Sequence, residues 1–113
     1  MNIDELINLC LLDEDAILTY PFKDEKYGNI PVLRHKSNNK WFGLIFEMDN
    51  ELCINIKAPP LDIVILKEQY PEAIKPAWHM NKKHWCKVEV NKIKDDILLA
   101  ILKQSFDITT SSK

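Results

Sequence analysis

The densest run of chemically versatile side chains is Pro76-Ala77-Trp78-His79-Met80-Asn81-Lys82-Lys83-His84-Trp85, with two indoles, two imidazoles and two lysines. Lysines contact phosphate oxygens, and each phosphate neutralised releases condensed counterions, so such binding weakens as salt rises. Indole and imidazole faces stack on bases or wall a groove. A second basic cluster, Arg34, His35, Lys36, Asn38, Asn39 and Lys40, surrounds another turn. These patterns nominate Arg34, Lys36, Lys40, Lys82 and Lys83 for phosphates, and His79, Asn81 and His84 for bases or sugars. The competing use of the tryptophans is packing: alternation with Lys87 and Glu89 makes Trp85 a core candidate, while Trp78 suits core and surface equally.

Other chemistries find less. His79, His84 and Cys86 are zinc-type ligands, but a fourth is missing and the spacing fits no common zinc template, so neither metal nor cofactor is expected. Only Gly28 and Gly43 are glycine, which excludes a glycine-rich phosphate loop. Ser37 sits in a turn, Ser105 at a helix end, and Ser111 and Ser112 in a tail; none has the context of an activated nucleophile. Carboxylates cluster at helix starts and loops, where capping and the helix dipole account for them. Binding, not catalysis, is the expectation.

Composition sets the frame. A chain of 113 residues, 46% apolar and 28% charged, has the make-up of one globular domain spanning residues 1–113. No apolar run approaches the roughly 18 residues a bilayer crossing needs, and Met1-Asn2-Ile3-Asp4-Glu5 lacks a signal-peptide pattern. Cys10, Cys53 and Cys86 are odd in number and form no CxxC pair, which reads as reduced thiols in a cytoplasmic protein. Net charge is −2, but residues 1–25 hold seven acids against one base, and residues 75–94 six bases against Glu89 alone. A chain polarised this way can present a positive face while acidic overall.

Periodicity then supplies the elements. Asn2 and Glu5 form a capping box ahead of Ile3, Leu6, Ile7, Cys10 and Leu11 at helical spacing. Ala16–Tyr20 reads as extended and 21–28 as a loop. Residues 30–36, 40–47 and 51–57 read as a meander, with Phe42, Leu44 and Phe46 on one face and a tight reversal at Asp49-Asn50. Pro59-Pro60 starts a helix whose inward stripe is Leu61, Val64 and Ile65, broadened by Ile63, Leu66 and Tyr70. Residues 76–80 and 84–90 read as a hairpin turning at 81–83. Asp95 caps a last helix that carries Ile97, Leu98, Ile101 and Leu102 inward. The expected fold is α+β, two-layer, α-β(3)-α-β(2)-α, with a mainly antiparallel sheet apolar on one face and backed by helices.

The order of Tyr20-Pro21-Phe22, Leu33 to Phe42, Tyr70-Pro71, Pro76 to Trp85 and Ser105-Phe106 resembles the MmcQ/YjbR family across nearly the whole chain, with 79–85 the most specific block. The resemblance implies a two-layer α+β fold similar to the frataxin-like CyaY and secretion-chaperone arrangements. It also implies a double-wing DNA-binding surface, proposed for the family by similarity to a phage transcription factor. The chain departs from the pattern at Lys23, where glycine commonly follows Pro-Phe, and at Trp78, where tyrosine is usual. DNA is the leading partner, with no membrane and a monomer or weak dimer expected. The alternatives are a protein-interaction module and a small-ligand pocket near Trp78, His79 and Trp85.

Overall fold

The computed structural model describes residues 1–110; the tail serines Ser111 and Ser112 lie outside the described residues. In chain order the elements are α1 (Ile3–Cys10), β1 (Ala16–Thr19), β2 (Val32–His35), β3 (Trp41–Met48), β4 (Glu51–Lys57), α2 (Pro60–Gln69), β5 (Ile74–Pro76), β6 (Trp85–Glu89) and α3 (Asp95–Thr110). One antiparallel sheet runs β1-β2-β3-β4-β6-β5. The α+β class and the antiparallel sheet match the sequence reading, and the order differs by one element, because the extended Ala16–Thr19 segment joins the sheet edge as a sixth strand. Among the described residues no helix is long and apolar enough to cross a membrane.

Local chemistry explains several boundaries. Asn2 and Glu5 exchange both capping-box hydrogen bonds at 2.9 Å, satisfying two otherwise orphaned N–H groups of α1. Asp49 and Asn50 both take positive φ, 53° and 64°, the geometry of a two-residue hairpin turn whose twist matches its strands. Asp95 is the first residue of α3 rather than its cap, and Leu98 N–H donates to the Lys94 carbonyl.

The main core fills the space between helices and sheet: Leu6 and Cys10 from α1, Ile63 from α2, and Leu98, Ile101 and Leu102 from α3 meet Leu33, Ile45, Ile54, Ile56 and Val88. Three sequence expectations fail here. Phe42, Leu44 and Phe46 do not share a face. Leu33 pairs with Gly43 but Arg34 with Trp41, so Phe42 is the extra residue of a bulge. That slip sends Phe42 with Ile45 to the helix side and leaves Leu44 and Phe46 on the other. Nor is the sheet apolar on one face only: Val32, Leu44, Phe46 and Cys53 form a second core, roofed by Phe22, Ile30, Trp41, Trp78 and Met80. Finally, α2 buries Ile63 and half-buries Leu66 and Tyr70, while Leu61, Val64 and Ile65 are 69%, 52% and 43% exposed. Apolar residues surround that helix on nearly every side, so periodicity alone could not fix its phase.

The second hairpin also differs from expectation. β5 ends at Pro76 and β6 begins at Trp85, so 77–84 is an eight-residue loop instead of a tight turn. Asn81 organises its return: its carbonyl accepts from His84 N–H (3.2 Å) and Trp85 N–H (2.9 Å), and its side chain accepts from Lys83 N–H (2.9 Å).

Candidate functional site

Strand register places the two basic tips at one end of the sheet. His35 ends β2 and Trp41 begins β3, Lys57 ends β4 opposite Trp85 at the start of β6, and Pro76 ends β5 opposite Cys86. Turn 36–40 and loop 77–84 therefore emerge from the same edge, separated by about three strand spacings, or ~14 Å. They lean to opposite faces, the turn to the helix side and the loop over the second core.

Turn 36–40 is pinned from within the molecule, in part by Arg34, which the sequence nominates for a phosphate. His35 is fully buried, its Nδ1 2.9 Å from Asp15 Oδ2 and its Nε2 2.8 Å from Thr109 Oγ1. Its ring lies 4.3 Å from Phe106, centroid to centroid. Asp15 also accepts from Ser37 N–H (2.8 Å) and Ser37 Oγ–H (2.7 Å). The Ser37 hydrogen bonds, then that of His35, hold the Asp15 carboxyl below its ordinary value. The Asn38 side chain donates to the carbonyls of Thr109 (2.9 Å) and Thr110 (3.0 Å), tying the turn to the end of α3. Arg34 donates to the Asn39 side chain and to the His35 carbonyl, so its guanidinium shapes the turn around the positive φ of Asn39. Lys36 projects into solvent, and Lys40 is half-buried.

Loop 77–84 is clasped by Asn55, a fully buried residue of β4. Its amide nitrogen donates to the Trp78 carbonyl (2.6 Å) and its oxygen accepts from Trp78 N–H (3.2 Å). The Trp78 ring stacks on Phe46 at 4.6 Å. Loop 20–31 closes over it from the other side: Tyr27 meets Trp78 edge-on at 5.9 Å, and Phe22 meets Trp41 at 5.8 Å. Between the loops lies a cavity of about 230 Å³ lined by Phe22, Tyr27, Trp41, Leu44, Trp78 and His79 among others. Trp85 does not line it, being buried at the start of β6. His79 holds a left-handed backbone, φ 54°, beside the opening.

The electrostatics thin the basic stretch 75–94. Glu89, 4% exposed, lies 2.6 Å from Lys75 Nζ, 2.8 Å from Lys92 Nζ and 4.0 Å from Lys87 Nζ. Burial pushes its carboxyl up, but the Lys75 and Lys92 hydrogen bonds outweigh that and hold it below the usual value. Asn81, Lys82, Lys83 and His84 stay exposed on the loop. His79, His84 and Cys86 are not brought together: Cys86 is buried in the helix-side core, its thiol pushed up to about 12 by burial, while both histidines are exposed. No cluster able to hold a metal ion occurs among the described residues.

Thus His79, Asn81, Lys82, Lys83 and His84 share one loop, Lys36 and Lys40 sit on the second tip, and Arg34 is spent internally. Sequence reasoning missed the clasp by Asn55 and the cavity walls from loop 20–31. The available signals were one asparagine inside the apolar strand Leu52-Cys53-Ile54-Asn55-Ile56, and the aromatic pair Phe22 and Tyr27 in a polar loop.

Known proteins share the fold and the sequence pattern of this chain. The YjbR family model matches residues 14–108. The uncharacterised protein YyaQ of Bacillus subtilis is 34% identical over 101 residues, covering 80% of this chain and 82% of that one. The crystal structure of a Pseudomonas syringae protein superposes with a TM-score of 0.81 at 28% identity, covering 96% of this chain and 99% of that one. A Deinococcus radiodurans protein of the DUF419 domain family gives 0.81 at 25% identity, covering 98% and 80% respectively.

Proposed function

The chain belongs to the YjbR family, and on that footing we propose that it binds DNA through the sheet end where turn 36–40 and loop 77–84 emerge, with no reaction of its own. The observation that carries this reading is the pair of exposed lysines Lys82 and Lys83, neither of which has a carboxylate within salt-bridge distance among the described residues. Lys36 stands exposed on the other tip, and the strand ends that carry the two tips lie ~14 Å apart along the sheet, on the order of the ~12 Å width of a major groove. His79, Asn81 and His84 stand beside the lysines for base or sugar contacts. Arg34 acts as a positioning residue, holding the turn that carries Lys36.

Fluorescence anisotropy with a labelled duplex at several salt concentrations tests this. Three phosphate contacts through Lys36, Lys82 and Lys83 give a slope of log K against log[salt] of about −2.7. The double variant Lys82→Ala/Lys83→Ala lowers it to about −0.9. Absence of binding at low salt, or an unchanged slope in the variant, refutes the reading.

A second reading, a protein-interaction module, is favoured by the exposed apolar stripe Leu61, Val64 and Ile65 on α2. Its simplest partner is a second copy pairing the same stripe about a two-fold axis. Sedimentation velocity would then show a weak dimer that Leu61→Glu/Val64→Glu dissociates. A wild-type chain that stays monomeric at every concentration removes this option.

A further inference from the structure

The cavity between loops 20–31 and 77–84 has a composition that phosphate contacts do not explain. Its volume of about 230 Å³ exceeds the ~150 Å³ of an apolar cavity that takes up benzene, so a two-ring molecule is of the right size. Four aromatic side chains, Phe22, Tyr27, Trp41 and Trp78, supply half of the lining residues; His79 stands among the others, and no carboxylate or ammonium group lines the cavity. The rings are fixed by edge-to-face contacts, 84° between Phe22 and Trp41 and 66° between Tyr27 and Trp78. Trp78 is further held by stacking on Phe46 and by the two Asn55 hydrogen bonds. Such a wall offers ring faces and edges together, the arrangement aromatic guests prefer.

Two of these rings also carry an indole N–H donor. Among the described residues neither the Trp41 nor the Trp78 indole N–H has a protein acceptor. Neither is sealed from solvent, because no buried side-chain nitrogen or oxygen among those residues lacks a partner. A guest with an acceptor atom could satisfy one of them, and an aliphatic guest of equal size would forgo the ring contacts.

We propose that this cavity is a binding site for an uncharged, planar heteroaromatic group of one or two fused rings bearing a hydrogen-bond acceptor. That chemistry has two sources, a free small molecule or a base of a single nucleic-acid strand. Only the second rests on the DNA reading above.

The three tryptophans provide the assay. In the ¹⁵N-labelled full chain, the indole N–H signals of Trp41 and Trp78 report on the cavity, and that of Trp85, which lies outside it, is the internal control. Quinoline and adenosine are titrated as free rings, a short oligodeoxyadenylate as a strand, and cyclohexanol as the aliphatic control. The expected result is saturable movement of the Trp41 and Trp78 signals, with quinoline or adenosine half-saturating at roughly millimolar concentration or below. Trp85 and the cyclohexanol titration stay flat. An oligonucleotide that saturates about 10-fold earlier than adenosine, an advantage lost in Lys82→Ala/Lys83→Ala, identifies a strand as the source. Equal or weaker binding of the oligonucleotide identifies a free molecule. Ile30→Phe, which fills the cavity from loop 20–31, weakens quinoline binding about 10-fold, with the unmoved Trp85 signal reporting that the fold is kept. Absence of saturable shifts by either free ring up to about 5 mM, equal shifts by cyclohexanol, or parallel movement of Trp85 overturns the proposal. Quinoline binding without any duplex affinity sinks only the DNA reading.

Discussion

Asn55→Leu isolates how loop 77–84 is held. The variant keeps the number and branching of side-chain heavy atoms while removing both hydrogen bonds to Trp78, at 2.6 and 3.2 Å. A net intramolecular hydrogen bond contributes about 1 kcal/mol, so two give about 2 kcal/mol. The Trp78 N–H and carbonyl then lose their partners under a half-buried indole, which adds up to about 1–3 kcal/mol if the loop stays in place. Because the loop can lift and let water reach both groups, the expected loss lies near 2–3 kcal/mol. For a domain of this size that corresponds to a fall in Tm of roughly 8–15 °C. Urea unfolding followed by circular dichroism should show a lower midpoint. Native-state hydrogen exchange should show Trp78 N–H losing protection ahead of the β3 and β4 amides. Asn55→Asp offers a contrast, since a carboxylate still accepts from Trp78 N–H but cannot donate to its carbonyl. A change in stability below about 0.5 kcal/mol, with Trp78 N–H as protected as before, would refute the clasp.

Three other outcomes follow from the geometry. The folded-state pKa of Asp15 lies below its unfolded value near 3.8, so its contribution to stability is complete above that value and is lost as pH falls through the folded pKa. Asp15→Asn should flatten the acid limb of a stability–pH curve below about pH 4 and leave the neutral limb parallel to wild type; an unchanged acid limb contradicts this. Burial pushes the Cys10 and Cys86 thiols up to about 12 from 9.0, and Cys53 upward as well. Iodoacetamide at pH 8 should therefore alkylate native Cys10 and Cys86 about 1,000-fold more slowly than the unfolded chain, and comparable rates in both states would contradict it. A Cβ on Gly28 would stand 2.8 Å from the backbone oxygen of Asp24, so Gly28→Ala must shift the turn that places Tyr27. It should cost about 1–2 kcal/mol and move the Trp78 indole signal; an unmoved signal at wild-type stability counts against that account.

Much of this protein is written in local chemistry. The capping box at Asn2 and Glu5, the Asp49-Asn50 reversal, the Pro59-Pro60 helix start and the alternation of Leu52, Ile54 and Ile56 each depend on a few neighbouring residues, and all appear as read. The α+β class follows from those same signals, and the family resemblance from the motif blocks spread between Tyr20 and Phe106. What depended on contacts between distant segments did not read through. His35 looks like a surface base beside Arg34 and Lys36, yet Asp15 and Thr109, 20 and 74 residues away, make it a buried post. A bulge at Phe42 reverses the facing of Leu44 and Phe46, because a one-residue slip inverts every side chain after it. The phase of α2 was open because apolar residues surround it, and only packing against the sheet selected Ile63 over Val64.

The same division applies to the site. Residue types at 79–84 announce a capacity for phosphate or ring contacts. Only the tertiary structure decided that loop 20–31 meets loop 77–84, that one asparagine in β4 holds the second loop down, and that Glu89 neutralises lysines which looked available. Side-chain identity fixes which interactions a residue is able to make. Chain topology fixes which of them are satisfied inside the molecule and which are left for a partner.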